Sequence, residues 1–67
     1  MPLVEKVAAR VKQLRERRGL TQEALAARAG ISRAYLARIE TGRHEPTLTT
    51  LERLAKALRV RPATLLE

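Results

Sequence analysis

The sequence predicts an all-α fold, a compact bundle of five short helices, and three observations carry that prediction. Apolar residues recur at spacings of three and four along most of the chain. Leucine, alanine and arginine, all good helix formers, supply eleven residues each, while β-branched residues are too few and scattered for strands. Threonine, serine, glycine and proline stand where helices would start and stop. Sixty-seven residues make one domain, 1–67, with a small core. The absence of cysteine excludes disulfides and thiolate metal sites, and one histidine cannot build a structural metal centre. Well-packed helices, with or without dimerisation, are what remains to hold such a chain together.

Each element follows from local chemistry. Pro2 suits a helix start, and Val4, Val7, Val11 and Leu14 form an apolar stripe over residues 3–18, with Arg15 on its edge. Gly19 ends that helix as a left-handed cap, and Leu20 turns back toward the core. Thr21 caps a second helix running to Ala29, with Leu25, Ala26 and Ala29 inward and Glu23 complementing the helix dipole. Gly30 breaks it with a positive φ, and Ile31 fills the core beneath the turn. Ser32 caps a third helix, 33–41. Leu36, Ile39 and Glu40 share one face of it, and Arg33, Ala34, Ala37, Arg38 and Thr41 the other. Gly42 stops this helix, and Glu45 before Pro46 is expected to be extended. Thr47 caps a fourth helix to Leu58 or Arg59, with Leu48, Leu51, Leu54, Ala55 and Leu58 as its apolar face. Pro62 opens a last short helix carrying Leu65 and Leu66.

Residues 21–41 read as a helix-turn-helix unit, helices two and three of the bundle. Ala26 lies where the two helices should cross and is small enough for close approach. Gly30 marks the turn four residues later, and Leu36 and Ile39 anchor the second helix. A generic αα-hairpin is the plainer alternative. The outward face of helix three carries Arg33 and Arg38, whose planar donor forks match guanine O6 and N7. Ala34 and Ala37 between them leave room for close approach, and an alanine methyl can meet a thymine methyl. Solvated surface or phosphate contact is the competing reading of both arginines. Tyr35, the only aromatic residue, falls at the edge between core and outer face, which suits a packed ring with an outward hydroxyl or a phosphate contact.

At these residues the chain resembles the phage repressor and Cro type of helix-turn-helix domain, the xenobiotic-response-element (XRE) family of bacterial regulators. The likeness is carried by Leu14 through Ala26 (LRERRGLTQEALA), then Gly30-Ile31-Ser32, Tyr35-Leu36, Ile39-Glu40, Gly42-Arg43, Pro46-Thr47-Leu48 and Leu51 to Leu58. It spans about residues 5–66. Arg61 departs from the family pattern, which places a short polar cap before helix five. The resemblance implies a lambda-repressor-like domain that binds two-fold-related DNA half-sites as a dimer. It implies that Gln22 holds a phosphate and braces the recognition helix. Ser32, Arg33, Ala34 and Arg38 would face the groove, with Arg33, Ala34 and Arg38 as the base-edge candidates and Ser32 at a phosphate. Gly42, Arg43 and Thr47 would touch the backbone, with Tyr35 a further phosphate candidate. Arg15 and Glu40, each beside an inward face, are expected to form a partly buried structural salt bridge, because a buried charge is costly unless paired.

Charge and composition agree with that expectation. The net charge is +7, spread as roughly +4 over residues 1–20, +1 over 21–40 and +2 over 41–67, which points to a polyanion partner. The longest apolar run is Ala24–Ala27, so no membrane span or apolar signal region is expected, and the cytoplasm is the expected compartment. No cofactor, metal or catalytic constellation is legible. The sequence therefore predicts a sequence-specific double-stranded DNA-binding regulator of transcription, a repressor in sign, reading the major groove with helix 33–41 as a homodimer on a palindromic operator. Leu65, Leu66 and the exposed parts of helices four and five are the expected dimer surface. The alternative is an antitoxin or bridging module that binds a partner protein, a toxin or another regulator, through the same domain. A third reading is a non-specific nucleic-acid binder.

Overall fold

A computed structural model describes residues 2–67. Four α-helices follow one another: α1, Leu3–Arg17; α2, Gln22–Ala29; α3, Arg33–Glu40; and α4, Leu48–Leu58. The caps act as their chemistry requires. Thr21 Oγ1 accepts the Ala24 amide at 3.0 Å, Ser32 Oγ accepts the Tyr35 amide at 3.0 Å, and Thr47 Oγ1 accepts the Thr50 amide at 3.1 Å. Each bond satisfies one of the orphan donors that a helix start leaves.

The helix-turn-helix corner depends on Gly30. It caps α2 in the left-handed conformation at φ 71°, and the Ile31 amide then reaches back to the Ala26 carbonyl at 3.0 Å. That return turns the chain within two residues, so α3 starts against the side of α2. Leu25, Ala26 and Ala29 from α2 and Leu36 and Ile39 from α3 are buried together with Val7 and Val11 of α1. Leu54, Ala55 and Leu58 of α4 close the same core from the other side.

Three expectations are corrected. The fifth helix is a 3-10 helix, Pro62–Leu66, rather than an α-helix. Arg61 gives it no side-chain cap and Pro62 has no amide to donate, so five residues close with a Thr64-to-Arg61 bond of 2.9 Å. Leu48 is 72% exposed, and the inward place in the first turn of α4 goes to Thr50, which is buried. Leu48 is the first residue of the helix and overhangs the core, whereas Thr50 sits over it and keeps its hydroxyl bonded to Thr47 at 2.9 Å. Leu65 is fully buried and so cannot serve as a surface contact; Leu66 beside it is exposed. Along α1, Val4 and Leu14 are half-buried at the two ends of the stripe, and Ala8 joins Val7 and Val11 inside.

Arg59 is the one non-glycine residue with positive φ among the described residues, at 58°. It caps α4 in the left-handed region and lets the Val60 amide reach the Ala55 carbonyl at 2.9 Å. A left-handed residue with a Cβ costs roughly 1–2 kcal/mol, partly offset by the larger unfolded-state entropy of glycine. Arg59→Gly is accordingly expected to raise the unfolding free energy by about 0.5–1 kcal/mol in urea titrations. A lower midpoint would refute the strain assigned to this cap.

Candidate nucleic-acid interface

The interface is built outward from a charged anchor. Arg15, in the last turn of α1, donates through Nε to Glu40 Oε2 at 2.7 Å and through Nη2 to Glu40 Oε1 at 3.1 Å. Its third donor, Nη1, reaches the Leu20 carbonyl at 2.8 Å. Glu40 ends α3, where a negative charge opposes the helix dipole. The two-pronged guanidinium contact offsets that penalty and the desolvation of a carboxylate side chain only 3% exposed. The hydrogen bond to Glu40 raises the Arg15 pKa, against the lowering effect of burial; the charges of Glu40 and Glu16 act in the same direction as the bond. The guanidinium is therefore charged at every pH the fold would meet.

Gln22 joins this network. Its Nε2 donates to Glu40 Oε1 at 3.1 Å, so the first residue of α2 is bonded to the last residue of α3. Arg15, Thr21, Gln22, Glu23 and Arg33 line one shallow depression at the α2 N-terminus. The Ala24 and Leu25 amides of that helix start are taken by Thr21, which leaves the Gln22 and Glu23 amides without a partner among the described residues.

Along α3, Arg33, Ala34 and Arg38 are exposed, while Leu36 and Ile39 are fully buried on the opposite side. Neither arginine has an ion pair or side-chain hydrogen bond among the described residues. Ser32 is exposed, with its oxygen taken by the Tyr35 amide and its hydroxyl proton still available. Together these residues give one face of α3 free donors at both ends and small methyl groups between.

The remaining candidates are more constrained. Tyr35 stacks edge-on against His44, with ring centroids 5.0 Å apart, and its hydroxyl lies 3.5 Å from Thr50 Oγ1. The hydroxyl expected to point outward is instead directed at α4, because the ring is held between α3 and the loop that follows. Gly42 has its amide on the Ile39 carbonyl at 3.1 Å, and a Cβ there would meet Glu5 Cγ at 3.5 Å. It brings the loop against α1 at φ 75°. Thr47 spends its hydroxyl on Thr50, donating to Oγ1 at 2.9 Å. Arg43 is exposed beside them. Thr50, which holds both Thr47 and Tyr35, was not legible as a site residue. The Thr47-x-x-Thr50 spacing was the available signal, but it reads equally as an ordinary cap.

More positive charge lies away from α3. Arg28, Arg53, Lys56 and Arg59 surround a shallow groove between the C-terminal ends of α2 and α4. No helix among the described residues is long and apolar enough to cross a membrane.

Residues 11–65 match a family model described as helix-turn-helix, HTH_3. Over 52 residues the chain is 52% identical to the immunity repressor protein of Bacillus phage phi105, covering 78% of this chain and 36% of that one. The chain thus spans about a third of that relative's length. Among solved structures, the restriction-modification controller protein C.AhdI from Aeromonas hydrophila superposes with a TM-score of 0.90 at 35% identity, covering 92% of this chain and 94% of that one. The biofilm master regulator SinR, solved in complex with DNA, superposes with a TM-score of 0.87 at 34% identity, covering 91% and 98%.

Proposed function

We propose that this chain, which belongs to the HTH_3 helix-turn-helix family, is a sequence-specific DNA-binding regulator of transcription, a repressor in sign. Residues 1–67 act as one DNA-binding domain in the cytoplasm, without catalysis. A homodimer reads a palindromic operator, because an eight-residue helix, about 12 Å long, spans too few base pairs for useful specificity alone. The observation that carries this reading is the division of α3. One side is locked by Leu36, Ile39 and Glu40, and the other offers Arg33, Ala34 and Arg38, the two arginines having no side-chain partner among the described residues. The names of its relatives, an immunity repressor and a restriction-modification controller, support the same class.

In this reading α3 enters the major groove, and Arg33 and Arg38 address base edges. Phosphates are held at the α2 start by Gln22 and its free amides, at the α3 start by the Ser32 hydroxyl, and beyond α3 by Arg43. Tyr35, Gly42 and Thr47 shape the loop around Arg43. A phosphate contact of Thr47 requires its hydroxyl proton to leave Thr50, whereas the Tyr35 hydroxyl can accept from Thr50 and keep its own proton for a phosphate.

Selection from a random DNA pool at two salt concentrations tests the reading, and a palindromic consensus is the expected result. Arg38→Ala should weaken operator binding by about 1–3 kcal/mol and relax preference at one base pair. Arg43→Ala should weaken all sequences alike and lower the salt slope by about 1. No enrichment, with a steep salt dependence, would reduce the protein to a non-specific polyanion binder.

A further inference from the structure

We infer that the groove between the C-terminal ends of α2 and α4 is a second docking surface, and that it takes an acidic peptide segment of a partner protein. The inference goes beyond the regulator reading and does not depend on it. Arg28, Arg53, Lys56 and Arg59 surround the groove, and all four are exposed. None of them forms an ion pair among the described residues. Three other surface depressions each include a glutamate, whereas this one carries cations alone. One cation at each helix end would serve to complement the helix dipoles, and Arg28 and Lys56, in the last turns of α2 and α4, already do so. Arg53 adds a third charge from the middle of α4, its Nη1 standing 3.9 Å from where a Gly30 Cβ would lie. Arg59 adds a fourth from a left-handed backbone position that glycine would occupy with less strain. A cation held there against its backbone preference marks a site whose charge is used.

The backbone selects the occupant. Arg28, Ala29 and Ala57 line the groove, and their carbonyls accept no hydrogen bond among the described residues, because the two caps reach only Ala26, Ala27, Ala55 and Lys56. A rim of guanidinium and ammonium donors beside free carbonyl acceptors matches a chain that offers both carboxylates and N–H groups. An acidic peptide offers both. A phosphate backbone offers acceptors alone and would be repelled by the carbonyl ends of two helices. Between the charges, Ala27 and Ala57 present small methyl groups, so a peptide backbone can approach closely. The position permits double occupancy. The groove shares no residue with α3 or the loop after it, and it lies at the end of α2 opposite Gln22, about 12 Å away for an eight-residue helix. A partner seated here leaves the reading face of α3 open.

Fluorescence anisotropy with a labelled, glutamate-rich synthetic peptide containing single leucines, paired with amide chemical-shift mapping on the full chain, tests this. Binding should be saturable below about 1 mM, weaken with salt, and shift Arg28, Gly30, Ala57 and Arg59 rather than the α3 face. Arg53→Gln combined with Lys56→Gln should lose at least tenfold in peptide affinity with an unchanged thermal melt. Lys6→Gln combined with Arg10→Gln, which removes the same charge from another depression, should change it less than twofold. Arg59→Gly should weaken peptide binding while stabilising the fold, an opposition that a purely structural cap would not produce. Equal binding of the same peptide with glutamine in place of glutamate, shifts centred on α3 or the α2 start, or equal losses in the two double variants would overturn the assignment. So would a short non-operator duplex that shifts the groove residues more strongly than the peptide does, since the groove would then be a second nucleic-acid site. The peptide titration uses no DNA, so its failure leaves the regulator reading untouched, and a failed operator selection leaves the groove to be decided by the peptide.

Discussion

Glu40→Ala is expected to cost about 3–5 kcal/mol of folding stability, because it leaves the Arg15 guanidinium unpaired in a site where its side chain is only 11% exposed. The loss has three parts. The two-pronged ion pair disappears, Gln22 loses its acceptor, and α1 and α2 no longer grip the end of α3. In a domain of this size each kcal/mol lowers the melting midpoint by roughly 4–8 °C, so much of the population should be unfolded at temperatures the parent survives. Gln22→Ala should cost only about 1 kcal/mol, since the carboxylate and guanidinium still neutralise each other. Replacing both members of the pair by methionine should recover most of the loss, because no buried charge then remains. Urea titrations followed by helical circular dichroism measure all three, and a Glu40→Ala loss below about 1 kcal/mol would show the pair to be dispensable.

The pH dependence has a definite sign. The folded-state pKa of Arg15 lies above its ordinary value. The stabilisation from Arg15 is therefore complete below the ordinary arginine range and is lost only as pH rises through the folded-state value, at strongly alkaline pH. Protonation of Arg15 adds no slope to the stability profile near neutrality.

Leu36→Ala should cost about 3 kcal/mol, within the 2–5 kcal/mol range for removing a fully buried leucine. Leu36 is 0% exposed at the centre of α3, and the same core includes residues of every other helix and Leu65 of the 3-10 helix. The cavity would lie beneath the face that carries Arg33 and Arg38. Operator affinity should therefore fall even at temperatures where the variant is still folded, because the arginines lose their fixed geometry. Arg33→Ala, on the exposed face of the same helix, should change stability by less than about 0.5 kcal/mol while weakening DNA binding. Matched stability losses in these two variants would contradict the division of α3 into a packed side and a reading side.

Much of this arrangement was legible from residues alone. Thr21, Ser32 and Thr47 marked three helix starts, and Gly30 marked the corner, because capping and left-handed geometry depend on hydrogen bonds within four or five residues. The partition of α3 into Leu36, Ile39 and Glu40 against Arg33, Ala34 and Arg38 followed from helical periodicity. The expectation that Glu40 needed Arg15 followed from the cost of a lone charge near the core, together with the family resemblance.

Only the tertiary structure decided matters that depend on distances between elements. It turned the Gln22 amide onto Glu40, aimed the Tyr35 hydroxyl at Thr50, pressed Gly42 against Glu5 and Ala8, and left Leu48 outside while Thr50 went in. It also placed Arg59 in a conformation that its residue type does not advertise. Side chains near helix ends have no fixed face in a periodic pattern. Their partners are set by where the next helix lies, and that position is a property of the whole core rather than of any one segment.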